Sequence, residues 1–129
     1  MRALLIEPNG PEDNYLERAL RDAGFDLDRA SSTRDVNTIP RSGRYVILIL
    51  DLGKSIALGA HIVASLRRRG TITPILALVA TNTSIDKVGL LDAGADDCLA
   101  KPFHSIEFVA RCNALIRRSG LTALSPNSD

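Results

Sequence analysis

Two uninterrupted aliphatic runs constrain the fold of this chain more than any other feature. They are VILIL (46–50) and ILALV (75–79), and each has apolar side chains at both odd and even positions. Because successive side chains of a strand point to opposite faces of a sheet, both faces of these strands need an apolar cover. Helices packed above and below a parallel sheet provide that cover. The sequence therefore predicts an α/β sandwich.

The rest of the chain alternates between short aliphatic runs and stretches of helical period. The predicted strands are 3–7, 27–31, 45–51, 73–79 and 96–100. The predicted helices are 15–23, a short one that starts at Ser32 and is cut by Pro40, 58–69, 83–93 and 105–119. Four of these five helices end at a glycine, which favours helix termination. The order is βαβαβαβαβα, with residues 1–119 as one domain and 120–129 as a linker or C-terminal tail.

Composition and charge exclude several classes of function. The chain has 129 residues, of which 45% are hydrophobic, and this suits one domain with a real core. Its net charge of +1 provides no overall field toward nucleic acid or a membrane. No apolar run reaches the roughly 20 residues of a membrane helix, and no signal-peptide pattern is visible. With two cysteines, Cys98 and Cys112, the simplest expectation is a reduced, cytoplasmic protein.

Charged residues follow three of the predicted strands. Glu7 ends the first strand, Asp51 ends the third, and Lys101 follows the fifth. Ligands and chemistry in a parallel sheet lie at the carboxyl ends of the strands, near the point where strand order reverses, so these side chains are expected to converge. A lone aspartate at a strand end is usually a turn or cap residue. The plainest structural role for Lys101 is a buried ion pair with Asp51 and Glu7.

Four segments of the chain resemble one family. LLIE (4–7), VILILDL (46–52), TPILAL (73–78) and LLDAGADDCLAKPF (90–103) are similar to the receiver domain of bacterial response regulators, of the OmpR/PhoB class and its CtrA-like branch. The resemblance covers residues 2–119 and implies a (βα)5 flavodoxin-like fold with helices on both faces of a five-stranded parallel sheet. It implies that Asp51 is the position that accepts a phosphoryl group from a histidine kinase. Lys101 corresponds to the lysine that contacts the acyl phosphate.

Several positions depart from that family in ways that matter chemically. Receivers have two adjacent acids after the first strand, whereas this chain has Glu7 followed by Pro8, which has no side-chain oxygen for Mg²⁺. Val79 replaces the family's Ser or Thr, and Cys98 replaces its Tyr or Phe. We therefore expect a degenerate phosphorylation site, a pseudo-receiver that is not an enzyme, and no cofactor, with Glu7 and Asp51 at most a weak metal site.

Two other functions are considered for this sequence. The alternative is a conventional receiver in which Glu7, Asp51 and extra waters hold Mg²⁺ while a histidine kinase phosphorylates Asp51. A small-ligand α/β domain is disfavoured, because no glycine-rich phosphate loop follows any strand.

Charged residues in the last third predict a surface for self-association. Glu107, Arg111 and Arg118 fall within roughly 40° of one another on the last helix. In the OmpR/PhoB class this face forms a symmetric homodimer through the fourth helix, fifth strand and fifth helix. The pairs implied here are Lys87 with Glu107, Asp97 with Arg111, and Asp96 with Arg118.

A solvated helix face is the plain alternative for these charges, because each exposed pair contributes only about 0 to 1 kcal/mol. Val88, Leu91 and Leu115 are expected to provide the apolar part of the interface. Other expected partners are a histidine kinase or an adaptor. Contact with DNA is expected only through an output domain that this sequence does not contain, and no membrane partner is expected.

Overall fold

The computed structural model of the chain describes residues 1–10, 14–31, 44–80 and 83–120. Its elements are β1 (Arg2–Ile6), α1 (Tyr15–Asp22), β2 (Asp26–Ala30), β3 (Ile47–Gly53), α2 (Ile56–Arg68), β4 (Ile75–Val79), α3 (Ser84–Ala93), β5 (Asp97–Ala100) and α4 (Ser105–Ser119). The five predicted strands and four of the predicted helices are present. The short helix predicted from Ser32 lies outside the described residues, as does the tail predicted at 120–129 except for Gly120. Among the helices described, none has the length and apolar character needed to cross a membrane.

The five strands form one parallel sheet in the order β2-β1-β3-β4-β5. The chain adds β2 on one side of β1 and then β3 on the other, so strand order reverses between β1 and β3. This reversal leaves a crevice at the carboxyl ends of these two strands. The predicted flavodoxin-like parallel sheet with helices on both faces is confirmed.

The central strand β3 shows why the aliphatic runs predicted this architecture. Ile47 and Ile49 pack in a cluster with side chains of α1 and α4, while Leu48 and Leu50 pack in a second cluster with side chains of α2 and α3. All four side chains are completely buried. Alternate residues of one strand therefore supply two separate apolar layers, each of which requires its own pair of helices.

The five strands differ from their predicted bounds by one or two residues; β1 ends at Ile6, so Glu7 follows it, and the later end of β3 also affects the site. β3 continues past Asp51 to Gly53, so Asp51 is not the last residue of the strand. The pairing register with β4 shifts between Asp51 and Gly53, and Gly53 has a φ of 56°, in the left-handed region that favours glycine. Such an irregularity bends a strand and redirects nearby side chains. α2 begins at Ile56, two residues earlier than predicted.

Candidate functional site

Two of the predicted site residues meet at the carboxyl end of the sheet. Lys101 Nζ lies 2.6 Å from Asp51 Oδ1, and the Asp51 side chain is only 12% exposed. The backbone N–H of Lys101 donates to the Val79 carbonyl oxygen at 2.8 Å, which fixes the residue after β5 beside the end of β4. The predicted convergence of Asp51 and Lys101 is therefore present. The role of Asp51 as a phosphoacceptor stays a prediction.

Glu7 has a different partner from the one expected. Its buried carboxylate Oε1 lies 3.3 Å from Arg29 Nη1, and among the described salt bridges Lys101 pairs with Asp51 alone. Burial raises the pKa of Glu7, and Arg29 opposes that rise while Asp51 adds to it. Glu7 therefore belongs to the same electrostatic cluster as Asp51, but it is neutralised separately.

Arg29 was missed at the sequence level, because its position beside Glu7 depends on how β1 and β2 pair. Arg29 lies directly opposite Leu5 in the parallel register of β1 and β2. The Glu7 N–H donates to the Ala30 carbonyl oxygen at 2.9 Å and extends this pairing past the end of β1. Arg29 precedes Ala30, the last residue of β2, and this pairing therefore places it beside Glu7, which follows β1.

The turn after β1 supplies no further carboxylate among the described residues. Pro8 has no side-chain donor or acceptor. The Asn9 amide is bound to the loop after β3, where its Nδ2 donates to the Leu52 carbonyl oxygen at 3.2 Å and to Ser55 Oγ at 3.1 Å. Over the ranges that the structure describes, no group of three or more His, Cys, Asp or Glu side chains is arranged to hold a metal ion.

Val79 and Cys98 belong to the same apolar core cluster. Val79 is completely buried at the end of β4, and Cys98 is 8% exposed on β5. The Cys98 thiol lies 3.9 Å from the Lys87 carbonyl oxygen in α3. Burial raises the pKa of this thiol, and the neighbouring Asp97 adds to the rise. Neither side chain carries a hydroxyl group or an aromatic ring.

Above Asp51 and Lys101 lies an open cavity of about 390 Å³. Its lining residues are Tyr15, Leu16, Asp51, Ala80, Lys101, Pro102 and Phe103. The rings of Tyr15 and Phe103 pack with their centroids 6.4 Å apart. Tyr15 is the first residue of α1 and is 45% exposed at the rim of this cavity.

The other predicted site is a surface that we call the α3–β5–α4 face, comprising Lys87, Asp96, Asp97, Glu107, Arg111 and Arg118. Five of these six residues, all except Lys87, line one shallow depression of about 480 Å³. The structure thus brings together on one surface five of the six charges that the sequence placed there.

Arg111 links two of the three elements of this face, β5 and α4, within a single chain. Its Nη1 lies 2.9 Å from Asp97 Oδ2, and its Nη2 lies 3.0 Å from Glu107 Oε2. Hydrogen bonds to Asp97 and then to Glu107 raise the pKa of Arg111. The predicted pairing of Asp97 with Arg111 therefore occurs inside one protomer, and its occurrence between two protomers stays a prediction.

Asp96 is held by a residue that sequence analysis did not select. Arg67 Nη2 lies 2.8 Å from Asp96 Oδ2, which also accepts from the Ile75 N–H at 2.7 Å. Arg67 donates in addition to three carbonyl oxygens, those of Gly94 at 3.0 Å and of Thr71 and Thr73 at 2.9 Å each. Because Arg67 closes a helix in a run of three arginines, the sequence alone suggests only a favourable interaction with the helix dipole.

The apolar part of the face differs in one residue from the expectation. Ile85, Val88 and Leu91 of α3 are 85%, 54% and 44% exposed. Leu115 of α4, in contrast, is 3% exposed and packs in the core against the sheet and α1, so its assignment to the interface was wrong. Ile85 is the large exposed residue that the sequence analysis missed.

Comparison with known proteins shows the family. The protein-family model for the response regulator receiver domain matches residues 4–113, and the chain belongs to this family. The transcriptional regulatory protein TctD of Salmonella typhimurium (strain SL1344) is 39% identical over 119 residues, which are 92% of this chain and 53% of TctD. The transcriptional regulatory protein PhoP of Escherichia coli O157:H7 is 37% identical over 124 residues, 95% of this chain and 56% of PhoP.

These relatives are members of the OmpR/PhoB class, and the chain spans about half of their length. Among solved structures, an atypical orphan response regulator, described as having a phosphorylation-independent regulatory mechanism, superimposes with a TM-score of 0.73. It is 27% identical, and the similarity covers 91% of this chain and 96% of that one.

Proposed function

We propose that this receiver domain is a pseudo-receiver: a signalling and dimerisation module that works without Mg²⁺-dependent switching through an aspartyl phosphate. The observation that carries the proposal is the charge pairing at the carboxyl end of the sheet. Glu7 is salt-bridged to Arg29 and Asp51 to Lys101, and the position after Glu7 is a proline.

Phosphoryl transfer explains why this pairing matters. The reaction brings several negatively charged oxygens together, and a divalent cation normally neutralises them. Here the protein supplies two cations of its own to the two available carboxylates. A metal ion would have to displace Arg29 from a buried oxygen and would find no third carboxylate at Pro8. The pocket is accordingly suited to remain in one state.

The positions that would report phosphorylation support the same proposal. Val79 has no hydroxyl to bond a phosphoryl oxygen, and Cys98 has no ring to change its rotamer. The solved atypical regulator, described as independent of phosphorylation, provides a precedent at 27% identity for regulation of this kind on this fold.

Signalling is then assigned to the α3–β5–α4 face. A two-fold interface needs a self-complementary surface, and this face combines both signs of charge with the exposed side chains of Ile85, Val88 and Leu91. Within the described residues Lys87 and Arg118 form no salt bridge, so each is available to a second copy. We propose a homodimer that forms on this face without phosphorylation.

The output of the domain is proposed from its relatives. TctD and PhoP are transcriptional regulatory proteins, and the matched region is about half of each. We propose a transcriptional output through a DNA-binding domain, with a histidine kinase or an adaptor as an upstream partner. A binding role rather than catalysis, and a reducing cytoplasmic location for its two buried free cysteines, belong to the same proposal.

A conventional receiver remains the second candidate, because the 2.6 Å contact between Lys101 and Asp51 preserves two of the residues that acyl phosphate chemistry uses. Incubation with a small acyl phosphate donor and Mg²⁺, followed by intact mass measurement and sedimentation, separates the two candidates. The proposal expects no phosphoryl adduct and a dimer before and after treatment. An adduct that Asp51→Asn abolishes would favour the second candidate. A monomer at roughly tens of micromolar, with or without the donor, would contradict the dimer.

A further inference from the structure

Arg29 lies at the centre of a charge cluster that joins three elements of the fold. Its Nη1 contacts Glu7 Oε1 after β1 at 3.3 Å, and its Nη2 contacts Glu17 Oε1 in α1 at 2.7 Å. Arg21 completes the cluster, with its Nε 3.1 Å from Glu17 Oε2. A planar guanidinium can bind two carboxylates at once, whereas an ammonium group cannot hold the same fork.

Burial differs between the members of this cluster. The Glu7 side chain is 5% exposed, compared with 30% for Arg29 and 33% for Glu17. A buried carboxylate without a counter-ion is costly, so Glu7 needs a cation in the folded state. Among the described residues Arg29 provides the one salt bridge that Glu7 makes.

We propose that Arg29 is a built-in counter-ion that holds the Glu7 carboxylate in place of a divalent cation and thereby excludes that cation. The inference rests on the proposed function and adds a second barrier to it. Restoring an acid at Pro8 would not by itself restore a metal site, because the guanidinium would still occupy Glu7 and repel a dication. Two residues therefore exclude the metal: Pro8, which supplies no oxygen ligand, and Arg29, which occupies the Glu7 carboxylate.

The test compares Mg²⁺ binding by Pro8→Asp alone with binding by Pro8→Asp combined with Arg29→Gln. The chain has no tryptophan, so binding is followed by the amide NMR shifts of Gly10 and Gly53 at increasing Mg²⁺. We expect the double variant to bind at least about tenfold more tightly than Pro8→Asp. Bound Mg²⁺ should also raise the thermal unfolding midpoint of the double variant, a second and independent readout.

Pro8→Asp combined with Arg21→Gln is the matched control. It removes an arginine from the same cluster, but one that contacts Glu17 and not Glu7. We expect it to bind Mg²⁺ no better than Pro8→Asp. Arg29→Thr repeats the comparison with a side chain suited to an edge strand.

The possible failures can be told apart. If Pro8→Asp binds Mg²⁺ as tightly as its combinations with Arg29→Gln and with Arg29→Thr, the role of Arg29 is overturned and the proposed function is left intact. Failure of both Arg29 variants to fold would also overturn it, in favour of a purely structural role. Mg²⁺ binding by the unaltered chain would instead contradict the proposed function.

Discussion

The pocket at the carboxyl end of the sheet and the α3–β5–α4 face lie on one domain, but their charges are arranged differently. At the carboxyl end of the sheet Glu7 is buried and Asp51 is mostly buried, and each has a cation from the protein, Arg29 for Glu7 and Lys101 for Asp51. On the face the charges are partly exposed, and Lys87 and Arg118 form no salt bridge within the described residues. A buried charge that is already paired resists a new ligand, whereas an exposed and unpaired one can bind a partner at low desolvation cost.

The largest effect on stability should come from Arg67, which binds Asp96 of the α3–β5–α4 face. Arg67→Ala removes four hydrogen-bonding contacts and leaves Asp96 without its cation, so we expect a loss of about 2 to 4 kcal/mol in the free energy of unfolding. Urea unfolding measures it. Arg68→Ala, at an exposed neighbour in the same helical turn, should change stability by less than about 0.5 kcal/mol. Equal effects of the two substitutions would show that the face does not depend on Arg67.

Loss of Lys101, the cation that pairs with Asp51, should also lower the free energy of unfolding, but by less than loss of Arg67. Lys101→Ala leaves Asp51 mostly buried and unpaired, and we expect a loss of about 1 to 2 kcal/mol, since Lys101 is itself about one third exposed. Lys54→Ala, which removes an exposed lysine near the same end of the sheet, is the control. Unchanged stability of Lys101→Ala would mean that the ion pair does not hold the pocket in one state.

Charge reversal on the face should weaken the dimer without unfolding the domain. Arg118→Glu places an acid opposite the acids of the second copy, and we expect dimer dissociation to become easier by about tenfold in sedimentation equilibrium. Arg117→Glu makes the same change in net charge about 100° away around the helix and should leave the dimer unchanged. Equal weakening by both variants would indicate a general charge effect instead of this interface.

The smallest predicted effect is a pH dependence that comes from Glu7. Burial raises the folded-state pKa of Glu7 above its ordinary 4.5, so folding favours the protonated acid. Glu7 therefore lowers stability at neutral pH, and this penalty is relieved as the pH falls through the raised pKa. Relative to Glu7→Gln, the unaltered chain should become more stable between about pH 7.5 and about pH 5 in urea unfolding. A constant difference between the two proteins would contradict the shift.

Much of the fold could be predicted from the sequence, because two strands have apolar residues at both odd and even positions and so need a cover on both faces of the sheet. VILIL and ILALV are apolar on both faces, which indicates a parallel sheet covered by helices. Glycines after the helical stretches locate four helix ends. The convergence of Asp51 and Lys101 follows from the same rule, since the carboxyl ends of parallel strands share one edge of the sheet.

The cations that complete both regions could not be predicted in this way. Arg29 lies on a short edge strand, and its position beside Glu7 depends on the register of β2 against β1, which neither segment specifies alone. Arg67 acts on Asp96 through a contact 29 residues away in sequence. Leu115 was assigned to the surface because helical spacing gives the relative positions of side chains and leaves the orientation of the helix open.

The most direct test of the central claim is a Mg²⁺ titration of the unaltered protein, with and without beryllofluoride as a phosphoryl mimic, followed by amide NMR shifts near Asp51 and Cys98. The account predicts no saturable shift at either residue at millimolar Mg²⁺, because the two carboxylates keep Arg29 and Lys101 as partners. Saturable shifts at Asp51 that spread to Cys98 when beryllofluoride is added would contradict it and would identify a conventional phosphorylation switch.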